Sequence, residues 1–437
     1  LVVIPWRAFT TQETEMPIPD KDFLNLRQLA GEVATFAAQP QQQERIEGWR
    51  ALNDLEMTKP MVRIYEIPWH EMNVDGELDL ACEDEFCRGQ EMLLRQSLYV
   101  QRHLAADNII EGVVYSPLAI HDSGLGMRPG FSGPFSTAVT ASGLDWEITS
   151  RYFDPQIVDE SDVEKIQTPE VWHDERASDE TYNRLCEIYD GILRVEKRGA
   201  TGFWHALWDD LICWFGVTEG LSALVSNPDL VHKVLERYSQ ASDSRIKQYE
   251  ELGLLSANAC NTRVGSGGPA YTKELPATGS GLKRNEMWGN ATSQIFSHVS
   301  PQHHDEFALR YEIPWMEEWA LSYYGCCEPL HNKTQLLDKI PNLRKVSMSA
   351  WTDVDQMAAW AQDRTVLSYK PSPAIVAGMS FDGEAVRRGL LDVLRKTRGC
   401  NISLVMKDIS TVVNKPRRLW EWARIASEVT EEFAASI

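Results

Sequence analysis

The chain has 437 residues, 43% of them hydrophobic and 24% charged, which is ordinary globular composition with enough apolar material for a large core. Its 64 Asp and Glu against 43 Lys and Arg leave a formal charge of −21, which argues against nucleic acid and anionic membrane surfaces as partners. There is no apolar run long enough to span a bilayer, the opening LVVIPW is too short for a leader core, and the eight cysteines form no paired framework. The expected compartment is therefore the cytoplasm.

Residues 1–58 read as polar and mostly helical, an N-terminal extension to a main body over 59–437. From Pro60 short apolar runs alternate with amphipathic helices. A strand is expected over 61–69, a long helix over 83–105 and a second apolar run over 109–120. The Gly/Ser/Pro-rich stretch 121–150 reads as a long irregular loop. Helices follow over 180–196, 206–215 and 228–251, then a strand over 253–259 and a glycine-rich excursion over 265–289. A helix over 303–319, bent at Pro314, leads into four strand-and-helix units. Their strands are 320–327, 345–351, 365–370 and 401–408, and the closing helix is 416–435. That rhythm predicts a parallel sheet with crossover helices. Because no glycine fingerprint follows a strand and opens a helix, a (β/α)8 TIM barrel with an N-terminal helical extension is favoured over a nucleotide-binding open sheet.

In such a barrel chemistry gathers at the carboxyl ends of the strands. These ends supply Glu66 and His70, then Asn258 and Asn261, then Cys326, Cys327 and Glu328, followed by Ser349, Trp351, Lys370 and Asp408. Cys400 precedes its strand and belongs to the opposite mouth. The run Cys326-Cys327-Glu328, with His331 close behind, packs thiols, a carboxylate and an imidazole into one loop. With Asp408 these form a candidate zinc set, against the alternative of buried cysteines acting as small hydrophobes. Lys370 could meet an anionic group or simply form a salt bridge. Glu66 and His70 form an acid/base pair or a structural turn. Trp69, Trp288, Trp351 and Asn261 are the candidates for holding a substrate, and Phe203, Trp204, Trp208 and Trp214 read as core.

The segments ELGLLSAN, FSHVSPQHHDEFALRYEIPW, SYYGCCEPLH, KVSMSAWTDVD and KDISTVVNKPRRLWEWA, in that order over 220–437, resemble the uroporphyrinogen decarboxylase superfamily, which includes cobalamin-dependent methyltransferases. The resemblance implies a (β/α)8 barrel with a deep site at the strand ends. Its decarboxylases carry an arginine-rich motif near the N-terminus. Here the corresponding stretch, MVRIYEIPWHEM, holds only Arg63. Its methyltransferases bind zinc through a His-x-Cys pair and a later cysteine. Cys326 or Cys327 matches the first cysteine, Tyr324 or Gly325 stands at the histidine position, and the later cysteine falls near Asp408.

A harder ligand set would suit an ether or alcohol oxygen better than a thiol. The expected activity is demethylation of a small methoxylated compound, aromatic or not, or of another methylated compound, with the methyl passed to a corrinoid (cobalamin) carried by a partner protein. A homodimer is also allowed. Two alternatives stand beside it: a metal-free lyase acting on an organic carboxylate, with Lys370 and Arg63 as anion partners, and a non-catalytic small-molecule-binding barrel.

Overall fold

The structure, a computed structural model, describes residues 18–137 and 149–436. The expected extension therefore enters it from residue 18, and 138–148 of the expected loop lie outside the described residues. In chain order the strands are β1 (Met61–Ile64), β2 (Val113–Pro117), β3 (Ala119–Asp122), β4 (Phe131–Thr137), β5 (Thr149–Phe153), β6 (Val171–Asp174), β7 (Arg194–Arg198), β8 (Trp288–Ala291), β9 (Leu321–Tyr324), β10 (Leu343–Met348), β11 (Val366–Tyr369) and β12 (Asn401–Met406).

Six of these form one sheet in the order β1-β12-β11-β10-β9-β8, parallel throughout. Strand alternation sorts its two faces. Val62, Ile64, Val346, Met348, Leu367, Ile402, Leu404 and Met406 pack into the large apolar core that also takes in the closing helix Arg417–Ala434. The opposite face is polar for a buried surface, carrying Lys345, Ser347, Ser368 and Ser403. It is covered by the glycine-rich excursion, whose backbone enters the space the strands enclose. A Cβ on Gly265, which holds φ +52°, would lie 2.2 Å from the Tyr323 ring, and one on Gly268 would lie 2.4 Å from Trp49. Only glycine allows approaches this close.

Of the expected (β/α)8 barrel the structure shows an α/β fold with a six-stranded central parallel sheet and a distorted, barrel-like wall. β2 pairs in parallel only with β7, and the wall continues to β8 through the single bridges Ala200–Leu255 and His205–Ala291. Side chains explain both interruptions. At the outer edge of β1, Asp107 accepts from the Val62 amide at 2.8 Å, and Asn108 pairs with Ile64 by accepting its amide at 3.2 Å and donating to its carbonyl at 3.3 Å. At β8, Asn258 accepts from the Trp288 amide at 3.0 Å and donates to its carbonyl at 2.9 Å. These groups satisfy the edge in place of a neighbouring ladder strand. The apolar run at 253–259 consequently gives a bridge where a strand was expected. The expected irregular loop contains β4 and the start of β5, which pair antiparallel, as do β3 and β6.

The helix Pro40–Asn53, opened by a proline at its first turn, sits against the amino ends of the strands. Trp49 and Leu52 pack on Met61, Tyr271 and Val366, and Trp49 donates to the Asp107 carbonyl at 2.9 Å. Asn53 donates to the carbonyls of Pro269 and Tyr271 and accepts from the fully buried Lys345 ammonium at 2.9 Å.

Burial lowers the Lys345 pKa from 10.5 to about 7. Between those two values the unfolded chain binds a proton that the folded chain does not, so this group adds stability as pH rises across that window. Thermal unfolding of the wild type and Lys345→Met should show it. The wild type gains on the variant between pH 7 and pH 9.5, and a gap that stays constant with pH contradicts the assignment.

Candidate active site

The carboxyl ends of β1, β9, β11 and β12 bring Glu66, Cys326, Cys327, Lys370, Lys407 and Asp408 to one mouth. A cavity of about 240 Å³ is lined there by Glu66, Trp204, Arg263, Ser266, Gln294, Cys326, Cys327, Lys407 and Asp408. A smaller one of about 90 Å³ shares Cys327, Lys407 and Asp408 and adds Ser349, Trp351, Lys370 and Pro371.

Local backbone geometry sets these side chains. Glu66 and Asp408 follow neighbouring strands and both hold φ +55°, a conformation that L residues with a side chain rarely adopt. Each such residue costs about 1–3 kcal/mol, and such strain clusters at functional sites. The Asp408 amide donates to Glu66 at 3.1 Å, and Arg263 donates to the other oxygen of the same carboxylate at 2.9 Å. Gly325, at φ +92°, turns the chain after β9. Glu328 then staples the turn, accepting from the Cys326 amide at 2.8 Å and from the Thr292 hydroxyl at 3.0 Å. Both of its oxygens are thereby engaged inside the fold, and burial raises its pKa.

The electrostatics are those of a thiol pair facing two ammonium groups. The sulfurs of Cys326 and Cys327 stand 3.5 Å apart, with Cys326 5% exposed and Cys327 open to solvent. A hydrogen bond from Cys327, joined by the Lys407 and Lys370 charges, outweighs burial and brings the Cys326 pKa down to about 7. Cys327, donating to that thiolate and partly buried, is pushed well up and remains a thiol; it also meets Asp408 at 3.8 Å. Lys407 lies 3.9 Å from the Cys326 sulfur, 2.5 Å from Asp408 and 3.8 Å from Glu66. Burial works against its charge, but these anionic neighbours prevail and raise its pKa. Lys370 donates to the Tyr323 hydroxyl at 2.9 Å and to Ser347 at 2.5 Å, and burial takes its pKa down to about 8.

The remaining candidates lie elsewhere. The His331 ring accepts from the Asp353 amide at 3.2 Å. His70 stands 3.5 Å from Glu71, whose carboxylate anchors the loop 411–414 through Thr411, Val412 and Asn414. Trp288, expected to stack on a substrate, is buried in the core and donates to the Ala270 carbonyl at 3.0 Å. Trp69 meets Tyr99 edge-on at 5.7 Å and, with Asn261, lines a separate cavity beside β1. Trp351 is 74% exposed at the rim of the thiol cavity.

Of the expected zinc ligands, Cys326, Cys327 and Asp408 converge, while Glu328 and His331 are committed elsewhere. The Lys407 ammonium stands between the Cys326 sulfur and Asp408, where a cation would have to sit. Among the described residues no group of three or more His, Cys, Asp or Glu side chains has the geometry to hold a metal ion. As they stand, these side chains do not fit zinc.

No family model and no curated protein matches the chain. Among solved structures, a methyltransferase from Methanosarcina mazei is similar, with a TM-score of 0.46 and 10% identity over 89% of this chain and 98% of that chain. The likeness is distant. It is one of fold, at a level that assigns no chemistry. Among the described residues no helix is long and apolar enough to cross a membrane.

Lys407, Arg263, Ser266, Trp204 and Gln294 also line the cavity and were not named by the strand-end rule. For Lys407 the signal was present in the sequence: Asn401, Ser403, Val405 and Lys407 alternate onto the inner face of β12.

Proposed function

We propose that this mouth transfers a methyl group from a small methoxylated compound, aromatic in the preferred case, to a corrinoid carried by a partner protein. The observation that carries the proposal is the Lys370 ammonium, with a pKa near 8, lining the same small cavity as Cys327, Asp408 and the exposed Trp351 ring. Breaking an ether C–O bond leaves an oxygen anion that needs a proton. A general acid serves best when its pKa lies near the working pH. Lys370 holds that proton at Nζ, and Tyr323 and Ser347 fix its direction.

Trp351 offers a flat face for a ring, and the open side of the cavity at Cys327 leaves an approach for the partner. The corrinoid supplies the methyl-accepting metal; the chain's own side chains bind the donor, orient it and supply the proton. Because zinc does not fit the side chains, no step is routed through it. The Cys326 thiolate acts as counter-ion, keeping Lys370 and Lys407 charged in a buried setting.

The panel experiment is direct: methoxylated aromatics are incubated with the chain and cob(I)alamin or a corrinoid protein, and methylcobalamin and the freed hydroxyl compound are measured. Formation of both from at least one donor supports the proposal, and their absence across the panel removes it. Trp351→Ala should raise KM about threefold to tenfold with kcat nearly unchanged, as expected for loss of one stacking contact. An unchanged KM would place the donor elsewhere.

A further inference from the structure

On the other side of β1, where Asp107 and Asn108 replace a ladder strand, the wall is open. Two cavities of about 500 Å³ and about 810 Å³ flank the β2·β7 pair and meet at Glu111 and Tyr115, which line both. Arg63, on the inner face of β1, lines the first. Among the described residues its guanidinium makes no hydrogen bond and no ion pair, although it lies in the field of Tyr271 and Glu111. Arg198 lines the second. It donates to the Cys260 sulfur at 2.9 Å and to Thr262 at 2.5 Å and stacks 4.0 Å over Tyr115, with no carboxylate in ion-pair range. Tyr271 also lines the second cavity, and its hydroxyl is buried with no hydrogen-bond partner among the described residues.

Arg63 is half-buried, and a guanidinium carries five donors in a planar fork, so one without a protein acceptor presents them to whatever fills the cavity. Burial has already lowered the Arg63 pKa to about 10, so it remains charged at neutral pH. Of the acids lining these cavities, Glu66 is held by Arg263 and Glu196 by Arg194. Glu111, which accepts from Tyr115 at 3.3 Å, is left to face two guanidinium groups. The other lining cations, Arg50 and Lys197, are paired with Glu47 and Asp179, so the balance is one positive charge in excess, which suits a monoanion.

We propose that this seam binds a small organic monocarboxylate, with the carboxylate on the Arg63 fork and within reach of the Tyr271 hydroxyl, and the carbon body against Tyr65, Trp69 and Tyr115. The fork geometry matches a carboxylate through two parallel hydrogen bonds, and the aromatic walls give the rest of the molecule an apolar surface. Only Glu66 lines both this seam and the thiol cavity, so the site stands whichever chemistry runs at the thiols.

The test is calorimetric titration of the full chain with acetate, butyrate and benzoate, and with benzamide as the neutral isostere of benzoate. At least one carboxylate should bind. Benzoate should bind about tenfold or more tightly than benzamide, and Arg63→Met should weaken carboxylate binding about tenfold or more. Cys326→Ser should leave it unchanged. Absence of binding by all three carboxylates, equal affinity for benzamide, equal affinity in Arg63→Met, or loss of binding in Cys326→Ser would each overturn the proposal. Should Arg63→Met fail to fold, Tyr271→Phe carries the test: binding weakened severalfold supports the site, and unchanged binding refutes it.

Discussion

Under the proposed function, Lys370→Met should lower the rate of methyl transfer by about 10²–10⁴-fold, the usual contribution of a positioned general acid, and abolish the alkaline limb of the wild-type pH profile. In the wild type the proton on Lys370 is required, so turnover falls as pH rises through about 8, the value to which burial brings this ammonium. Methionine matches the length of the lysine stem and carries no proton, so the buried channel beside Tyr323 and Ser347 stays filled while the acid is lost. Donors with good leaving groups should suffer least, since a stable phenolate needs its proton late. Steady-state rates between pH 6 and 9.5 for a nitrophenyl methyl ether and an unactivated anisole, with both proteins, check this. An alkaline limb that persists in the variant would mean that some other group supplies the proton.

Cys326→Ser acts on the same alkaline limb. The thiolate forms as pH rises through about 7, and below that value the cavity loses an anion facing two ammonium groups. Below that value Lys370 still holds its proton, because the pH then lies under its own value near 8, so the wild-type profile should be flat up to about 7 and fall near 8. Serine stays neutral throughout and gives Lys370 no counter-ion. Because the Cys326 charge also raises the Lys370 pKa against burial, its loss lets burial lower that pKa further, and the alkaline limb moves to lower pH. At pH 7.5 the loss is about threefold for a shift of about one pKa unit in the acid. A profile in Cys326→Ser that overlays the wild type would show that the thiol does not act on Lys370.

The strand-and-helix units from β9 to β12 were legible because each strand is an apolar run closed by a polar residue and each crossover helix carries its own stop signal. That Cys326, Cys327, Lys370 and Asp408 would converge was legible from position alone, since a parallel sheet delivers its carboxyl ends to one mouth. Other elements carried no such signal. β7, RVEKR, is so heavily charged that it read as the tail of a helix, and β8, WGNA, has almost no side-chain pattern. The open seams depend on Asp107, Asn108 and Asn258 occupying backbone groups, a substitution that hydrophobic periodicity does not register. The positive φ of Glu66 and Asp408 is equally silent in the sequence. Trp288 was misplaced because a tryptophan near a strand end serves a core as readily as a ligand. His331 was misplaced because closeness in sequence to Cys327 does not overcome the turn that aims its ring at Asp353.

The central claim is that a proton held on Lys370, poised by its setting behind the thiol pair, drives methyl transfer at this mouth. It is tested most directly by measuring methylcobalamin formed from a methoxylated aromatic donor by the wild type and by Lys370→Met at pH 7.5, with folding of both verified by thermal unfolding. The account predicts steady product with the wild type and about a hundredfold less or lower with the variant. Equal rates from the two proteins, or product from neither with any donor, would contradict it.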